Sequence, residues 1–253
     1  MTPLDDRGLL LGDGLFETLL AVDGVLMGVD AHLNRLAAGC ATLSLPAPDR
    51  LEAELLMRQA LTGLTAPRAA VRLTLTAGSG GRGLDRPASP ALRLFATAAA
   101  SPKPDGPARL MVAKARRNEG SPASRLKTLS YLDNVLARAE ARAVGADEAL
   151  MLNNRGEAVC AAAANLFWVR EGRLFTPALD CGVLAGTMRA AVLAAAEKIG
   201  VEAAQVHAGR DEIETAEAVF LTSSLIGLRQ VSALGDIALA PSALAARLEA
   251  LLA

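Results

Sequence analysis

Ser124-Arg125-Leu126-Lys127-Thr128-Leu129-Ser130-Tyr131-Leu132 is the stretch on which the reading turns. Lysine is scarce in this chain. Of 26 basic residues only Lys103, Lys114, Lys127 and Lys198 are lysines, so arginine carries the generic surface charge. Lys103 lies in a proline-rich segment, Lys114 ends a strand before Arg116-Arg117, and Lys198 closes an amphipathic helix where it suits the helix dipole. Lys127 stands in an apolar setting just ahead of a helix expected over Ser130 to Val144. A buried lysine loses its charge readily and becomes a nucleophile toward carbonyls. By spacing alone the commoner reading is a solvated lysine at a loop–helix junction, so the motifs around it decide.

Upstream, Leu15 to Leu20 reads as a strand, and Asp23-Gly24 as a hairpin turn into Val25-Leu26. Asp30 is the expected N-cap of a helix through Leu43, with Leu33, Leu36 and Ala37 at helical spacing. A second helix is expected from Asp49 to Leu64. Ala70 to Thr76 alternates apolar and polar residues as a half-buried strand does, and Ala91 to Ala98 follows the same type. Between them lies the loop Gly78-Ser79-Gly80-Gly81-Arg82-Gly83. It lacks the G-K-[ST] of a P-loop. It suits either backbone contact with a substrate, with Arg82 meeting a carboxylate, or a flexible connector.

Ser101-Pro102-Lys103-Pro104-Asp105-Gly106-Pro107 is the best linker candidate. It predicts a smaller α/β domain over 1–100, a linker over 101–107 and a larger α+β domain over 108–253. In the second half, strands are expected at Arg109 to Ala115, Ala149 to Leu152, Ala158 to Val169, Val201 to Val206 and Ala218 to Thr222. Helices are expected at Gly186 to Ile199 and from Ala243 to the end. Helices and strands mix without regular βαβ alternation, which gives an α+β fold in two domains.

Composition narrows the function. Hydrophobic residues make up 52% of 253 residues, enough for a substantial core. A formal net charge of -1 excludes a nucleic-acid partner drawn by a basic surface. No apolar run has the length of a membrane span, and MTPLDDRGLL lacks the basic start and apolar stretch of a signal peptide, so a cytoplasmic enzyme is expected. Cys40, Cys160 and Cys181 suggest no disulfide framework. Neither His32 nor His207 stands at zinc-ligand spacing from a cysteine, so no metal site is expected. A Ser-His-Asp hydrolase lacks its G-x-S-x-G elbow.

Three motifs suit a phosphate. Leu184-Ala185-Gly186-Thr187-Met188-Arg189 places a glycine and a threonine at a helix start, where free N–H groups and the dipole attract anions. It is equally an ordinary helix start capped by Thr187. Leu221-Thr222-Ser223-Ser224 puts hydroxyls at the end of an apolar strand, as phosphate donors or as turn residues. Arg35 in His32-Leu33-Asn34-Arg35-Leu36 suits bidentate pairing with phosphate or a solvated helix face.

Taken in order, these blocks resemble the class IV aminotransferases, the fold type IV enzymes that use pyridoxal 5′-phosphate (PLP). Asp6-Arg7-Gly8 and Gly12-Asp13-Gly14-Leu15-Phe16-Glu17-Thr18 look like the N-terminal signature. His32 to Leu36 looks like the phosphate-arginine motif, and Lys127-Thr128-Leu129 like the Schiff-base segment. Asp147-Glu148-Ala149-Leu150, Ala164-Asn165-Leu166-Phe167, Thr176-Pro177 and Gly186-Thr187-Met188-Arg189 resemble the later blocks. The resemblance implies Lys127 as Schiff base and proton shuttle. It implies Arg35, Gly186, Thr187, Ser223 and Ser224 around the phosphate, a small-molecule amine substrate, and a homodimer. The first signature starts at Asp6, so an initial strand found in relatives is expected to be absent.

One position departs from the pattern. Counting back from Asn165, the family's glutamate toward the pyridine nitrogen falls at position 160, where this chain has Cys160. A thiol offers only a weak hydrogen bond. Glu157 is offset by three along a strand and points to the other face. Cys160 either replaces the glutamate beside the cofactor or merely packs. The loop Gly78 to Gly83 followed by Leu84 looks most like the lyase branch. The expected activity is therefore a 4-amino-4-deoxychorismate lyase releasing 4-aminobenzoate and pyruvate, a folate precursor step. The alternatives are an aminotransferase for D- or branched-chain amino acids and a catalytically silent binding protein, against which the intact Lys127 and Arg35 speak.

Overall fold

The computed structural model describes residues 3–252. The chain divides into two compact units: the residues up to Lys103 together with Leu126–Ser130, and Pro104–Arg125 with the residues from Tyr131 on. The segment carrying Lys127 thus belongs to the N-terminal unit although it lies beyond the proline-rich linker. A boundary drawn along the sequence cannot express that return.

In the N-terminal unit the elements run α1 (Arg7–Leu11), β1 (Gly14–Val22), β2 (Val25–Leu26), α2 (Val29–Thr42), α3 (Arg50–Ala60), β3 (Arg68–Thr76) and β4 (Arg93–Ala100). The strands form an antiparallel sheet in the order β2-β1-β3-β4. Leu15 and Leu19 of β1, Leu73 of β3, Leu33 and Leu36 of α2 and Met57 of α3 share one core. Asp23 and Gly24 both have positive φ, 47° and 78°, which is the backbone a two-residue hairpin turn requires. Asp49 caps α3 by accepting from the Glu52 N–H at 2.8 Å. Two expectations need correction. Asp30 lies inside the first turn of α2, whose N-cap is Gly28 at φ 64° with no side-chain cap bond. The helix from Asp49 ends at Ala60, before a turn through Gly63 at φ 82°.

The second unit runs β5 (Ala108–Arg117), α4 (Pro122–Arg125), α5 (Leu132–Ala143), β6 (Glu148–Asn153), β7 (Ala158–Ala161), β8 (Asn165–Arg170) and β9 (Arg173–Pro177). A 3₁₀ turn (Leu179–Cys181) leads to α6 (Thr187–Lys198), β10 (Ala203–Val206), α7 (Arg210–Glu214), β11 (Ala218–Ser223), β12 (Gly227–Leu234), β13 (Ile237–Ala238) and α8 (Ala243–Leu252). The single strand expected from Ala158 to Val169 is two, folded back on each other so that Cys160 pairs with Asn165. That pairing joins β7 to β8 and closes a circuit β8-β11-β12-β5-β6-β7. Residues alternate between faces as strand geometry requires. Leu150, Leu152, Leu166, Trp168, Val219 and Leu221 share one core, while Phe167, Val169 and Phe220 pack with α6 and α8. Ala149, Met151 and Cys160 pack with Ala137 and Ala141 of α5. The mixture of parallel and antiparallel pairs, without regular alternation, is the expected α+β architecture.

Leu150 is fully buried, and Trp168, the chain's single tryptophan, reports on the same core. Leu150→Ala should destabilise this unit by about 3 kcal/mol. The check is a urea titration followed by Trp168 emission, in which the midpoint falls.

Candidate active site

Leu126–Ser130 adds to the free half of the β1 edge. The Phe16 N–H donates to the Lys127 carbonyl at 2.9 Å, and the Leu129 N–H donates to the Gly14 carbonyl at 3.0 Å, around a bridge between Leu15 and Thr128. Gly14 leaves room for this approach: a Cβ there would lie 2.2 Å from the Leu75 carbonyl and 2.8 Å from Leu129 Cδ1. The register sets Lys127 beside Phe16. The ammonium nitrogen stands 4.2 Å from the ring centroid, and the Arg72 guanidinium 3.6 Å from the same ring.

Lys127 is only half-buried by solvent exposure, yet burial is the largest cause drawing its pKa down to about 8. The Arg35 and Arg72 charges lower it further, while Glu17 opposes them. At neutral pH roughly a tenth of this amine is unprotonated, far more than for an ordinary lysine, and that is the form that attacks a carbonyl.

Arg35 projects from α2 and pairs bidentately with Glu17 of β1: Nε donates to Oε1 at 2.8 Å and Nη2 to Oε2 at 2.6 Å. His32, one turn earlier, donates from Nδ1 to Glu17 Oε2 at 2.7 Å. Glu17 and His32 are buried, while Arg35 keeps some exposure. Burial works against the charge on Glu17, but the bonds from Arg35 and His32 outweigh it and hold the carboxyl below its usual range. Arg35 is therefore neither a solvated helix residue nor a loose cation. Sequence reasoning quoted Glu17 within a signature block but gave it no role, and it gave none to Arg72.

In the second unit α6 opens at Gly186, its N-cap, with no side-chain cap bond. Thr187 is the first helical residue rather than the cap. Its hydroxyl lies 3.1 Å from that of Ser224, so two of the expected phosphate residues converge at the helix N-terminus. A Cβ on Gly186 would fall 1.9 Å from Asn165 Oδ1, whose amide nitrogen is held by the Leu184 carbonyl at 2.9 Å. Ser223 does otherwise: its hydroxyl accepts from the Ile226 N–H at 3.4 Å, as a turn residue. Thr222 Oγ1 is buried without a partner.

Cys160 is buried in the alanine-rich core beneath α5. Burial raises its thiol pKa, the Arg117 charge opposes this, and the Glu148 charge adds to it. At neutral pH the position is an uncharged thiol. Glu157 does not stand in for it, being bound to Asn153 and Arg155 and facing His207. Arg82 is exposed on its loop. That loop is fastened: the Arg7 guanidinium donates to the carbonyls of Leu84 and Asp85, each at 2.9 Å, and binds Asp13 at 2.8 Å. Although no histidine and cysteine share zinc-ligand spacing, the fold gathers Glu157, Cys181 and His207 into one cluster. Burial, then the Glu157 and Asp180 charges, push the Cys181 thiol up to about 11.

Residues 14–234 match amino-transferase class IV, and the chain belongs to that family of PLP-dependent enzymes. A solved 4-amino-4-deoxychorismate lyase of Pseudomonas aeruginosa is 34% identical with a TM-score of 0.89, covering 100% of this chain and 94% of its own. An aminodeoxychorismate lyase of Bacillus subtilis is 30% identical over 87% of this chain and 77% of its own length. A D-alanine aminotransferase of Listeria monocytogenes is 26% identical over 94% and 83%.

The charges around Lys127 set the sign of a pH test. In the apoprotein, the reactivity of the Lys127 amine toward a limiting acylating reagent should rise with pH through a midpoint near 8 rather than 10.5. Arg35→Gln removes a cation and should move the midpoint up, whereas Glu17→Gln removes the opposing carboxylate and should move it down. Peptide mapping of the acylated product checks all three.

Proposed function

We propose that this chain is a PLP-dependent 4-amino-4-deoxychorismate lyase, releasing 4-aminobenzoate and pyruvate for folate precursor synthesis. The observation that carries the reading is Lys127, fixed on the β1 edge with its pKa drawn down to about 8. The remaining donor set fits PLP. An uncapped helix N-terminus with the Thr187 and Ser224 hydroxyls suits a phosphate dianion, as does the orphaned Thr222 hydroxyl nearby in sequence. Gly186, where a side chain would strike Asn165, lets the α6 start stay open.

PLP, when bound, supplies an electron sink for the carbon that bears the substrate amine. In this reading Lys127 would hold the cofactor. Its Nζ then takes the proton from that carbon and gives it to the departing enolpyruvate, which becomes pyruvate as the ring becomes aromatic. Arg35, locked by Glu17 and His32, is assigned to the phosphate, and the residues at the α6 N-terminus are assigned the same role. Ser223 belongs to the same loop with a supporting role, and Arg82 is assigned to a substrate carboxylate. Cys160, assigned to the ring-nitrogen position, would leave the sink weaker as a neutral thiol, which suits elimination over transamination because aromatisation supplies driving force that amino transfer lacks. The same reading makes the protein a cytoplasmic homodimer. Leu132, Val135 and Leu136, exposed on one face of α5, suit a subunit contact, and no helix among the described residues is long and apolar enough to cross a membrane.

The second reading, an aminotransferase acting on a D- or branched-chain amino acid, draws on the Listeria relative. Incubation with 4-amino-4-deoxychorismate should release 4-aminobenzoate and pyruvate in equal amounts. No release, together with conversion of the cofactor to its pyridoxamine form by an amino acid, would sink the lyase reading. Cys160→Glu should change lyase turnover by less than about tenfold, and a gain of several orders of magnitude would refute the role given to Cys160.

A further inference from the structure

We propose that Glu157, Cys181 and His207 form a zinc site in the second unit, separate from the residues assigned to catalysis. Cys181 Sγ lies 3.4 Å from His207 Nδ1, and Nδ1 lies 3.1 Å from Glu157 Oε1. All three candidate ligand atoms fall within 4.8 Å of one another. Tetrahedral zinc with bonds of about 2.0–2.3 Å to nitrogen, oxygen and sulfur needs ligand atoms roughly 3.3–3.6 Å apart. These two separations already approach that spacing.

Each outer atom of the set is tied so that its inner atom faces the centre. Glu157 Oε2 accepts from Asn153 Nδ2 at 2.6 Å and from Arg155 Nε at 3.0 Å, which leaves Oε1 toward His207. His207 Nε2 meets Asp180 Oδ1 at 3.1 Å, the carboxylate–histidine contact that turns the other ring nitrogen to a metal. Cys181 is held by its 3₁₀ turn and by the Asn153 amide at its carbonyl, 3.3 Å away. The alternative without metal is His207 held between two carboxylates, with the buried thiol adding only a weak contact to its ring.

Zinc also balances the charge. The ion's two positive charges meet the Glu157 carboxylate and a Cys181 thiolate, whose proton passes to solvent on binding. Arg155 and Asp180 offset each other outside. His207 is half-exposed, so the fourth position goes to water. The site joins the residue before β7, the 3₁₀ turn that leads to Gly186, and the residue after β10, and it works as a structural clamp.

The test uses the PLP-loaded protein purified with zinc in the medium and dialysed against metal-free buffer. About one zinc per chain by elemental analysis is expected, falling to background in Cys181→Ser and His207→Ala and unchanged in Cys40→Ala. Cobalt exchanged into the site should give the red-region ligand-field bands of a tetrahedral ion, away from pyridoxal absorption. Chelation should lower the melting temperature of the wild type alone. Wild-type protein that retains no zinc, or cobalt that stays octahedral, overturns the proposal even if the variants fail to fold.

Discussion

Everything at the candidate centre depends on one short backbone pairing. Two hydrogen bonds, Phe16 N–H to Lys127 carbonyl and Leu129 N–H to Gly14 carbonyl, hold Leu126–Ser130 on the edge of β1. Strand pairing fixes which face each side chain takes. A slip of one residue would turn Lys127 away from Phe16 and set Thr128 in its place. The chain must leave the second unit and return to make this pairing. A lysine so placed is positioned by main chain, which no surface loop could do as firmly.

The same sheet supplies the electrostatics. Glu17 is on the β1 face toward α2, and its buried charge is tolerable only because Arg35 and His32 both bond to it. The pair therefore fixes the Arg35 side chain, and the Arg35 charge in turn helps lower the Lys127 pKa. One carboxylate thus holds the Arg35 side chain in place while its own charge opposes the lowering of the Lys127 pKa. Arg72, over the other aromatic contact of Phe16, adds to the same field.

In the second unit the closing pair of the strand circuit is Cys160 with Asn165. Asn165 uses its amide to hold Leu184, and so the approach to α6, while Cys160 fills a core of alanines. A carboxylate at 160 would have to be accommodated among Ala113, Ala137 and Ala141 and near the Arg117 charge. The small neutral thiol suits that core.

Much of this was legible in the sequence. Asp23-Gly24, the helix start at Asp49 and the alternation in β3 are local signals, written in residues whose preferences do not depend on distant contacts. The scarcity of lysine and the order of the signature blocks singled out Lys127, Arg35, Gly186 and Thr187. What failed was short or held from afar. α1 is five residues long and is stabilised by Asp6 and Gly12 at its ends. The cap of α2 is a glycine in the left-handed region, with no side chain to announce it. Only the tertiary structure gave Glu17 its partners, set Ser224 beside Thr187, and brought Glu157, Cys181 and His207 together, because each of those relations joins residues far apart in the chain. The sequence determined which residues are rare and what their local backbone prefers. The fold decided which charges are buried beside one another, and burial with those charges is what draws the Lys127 pKa down to about 8.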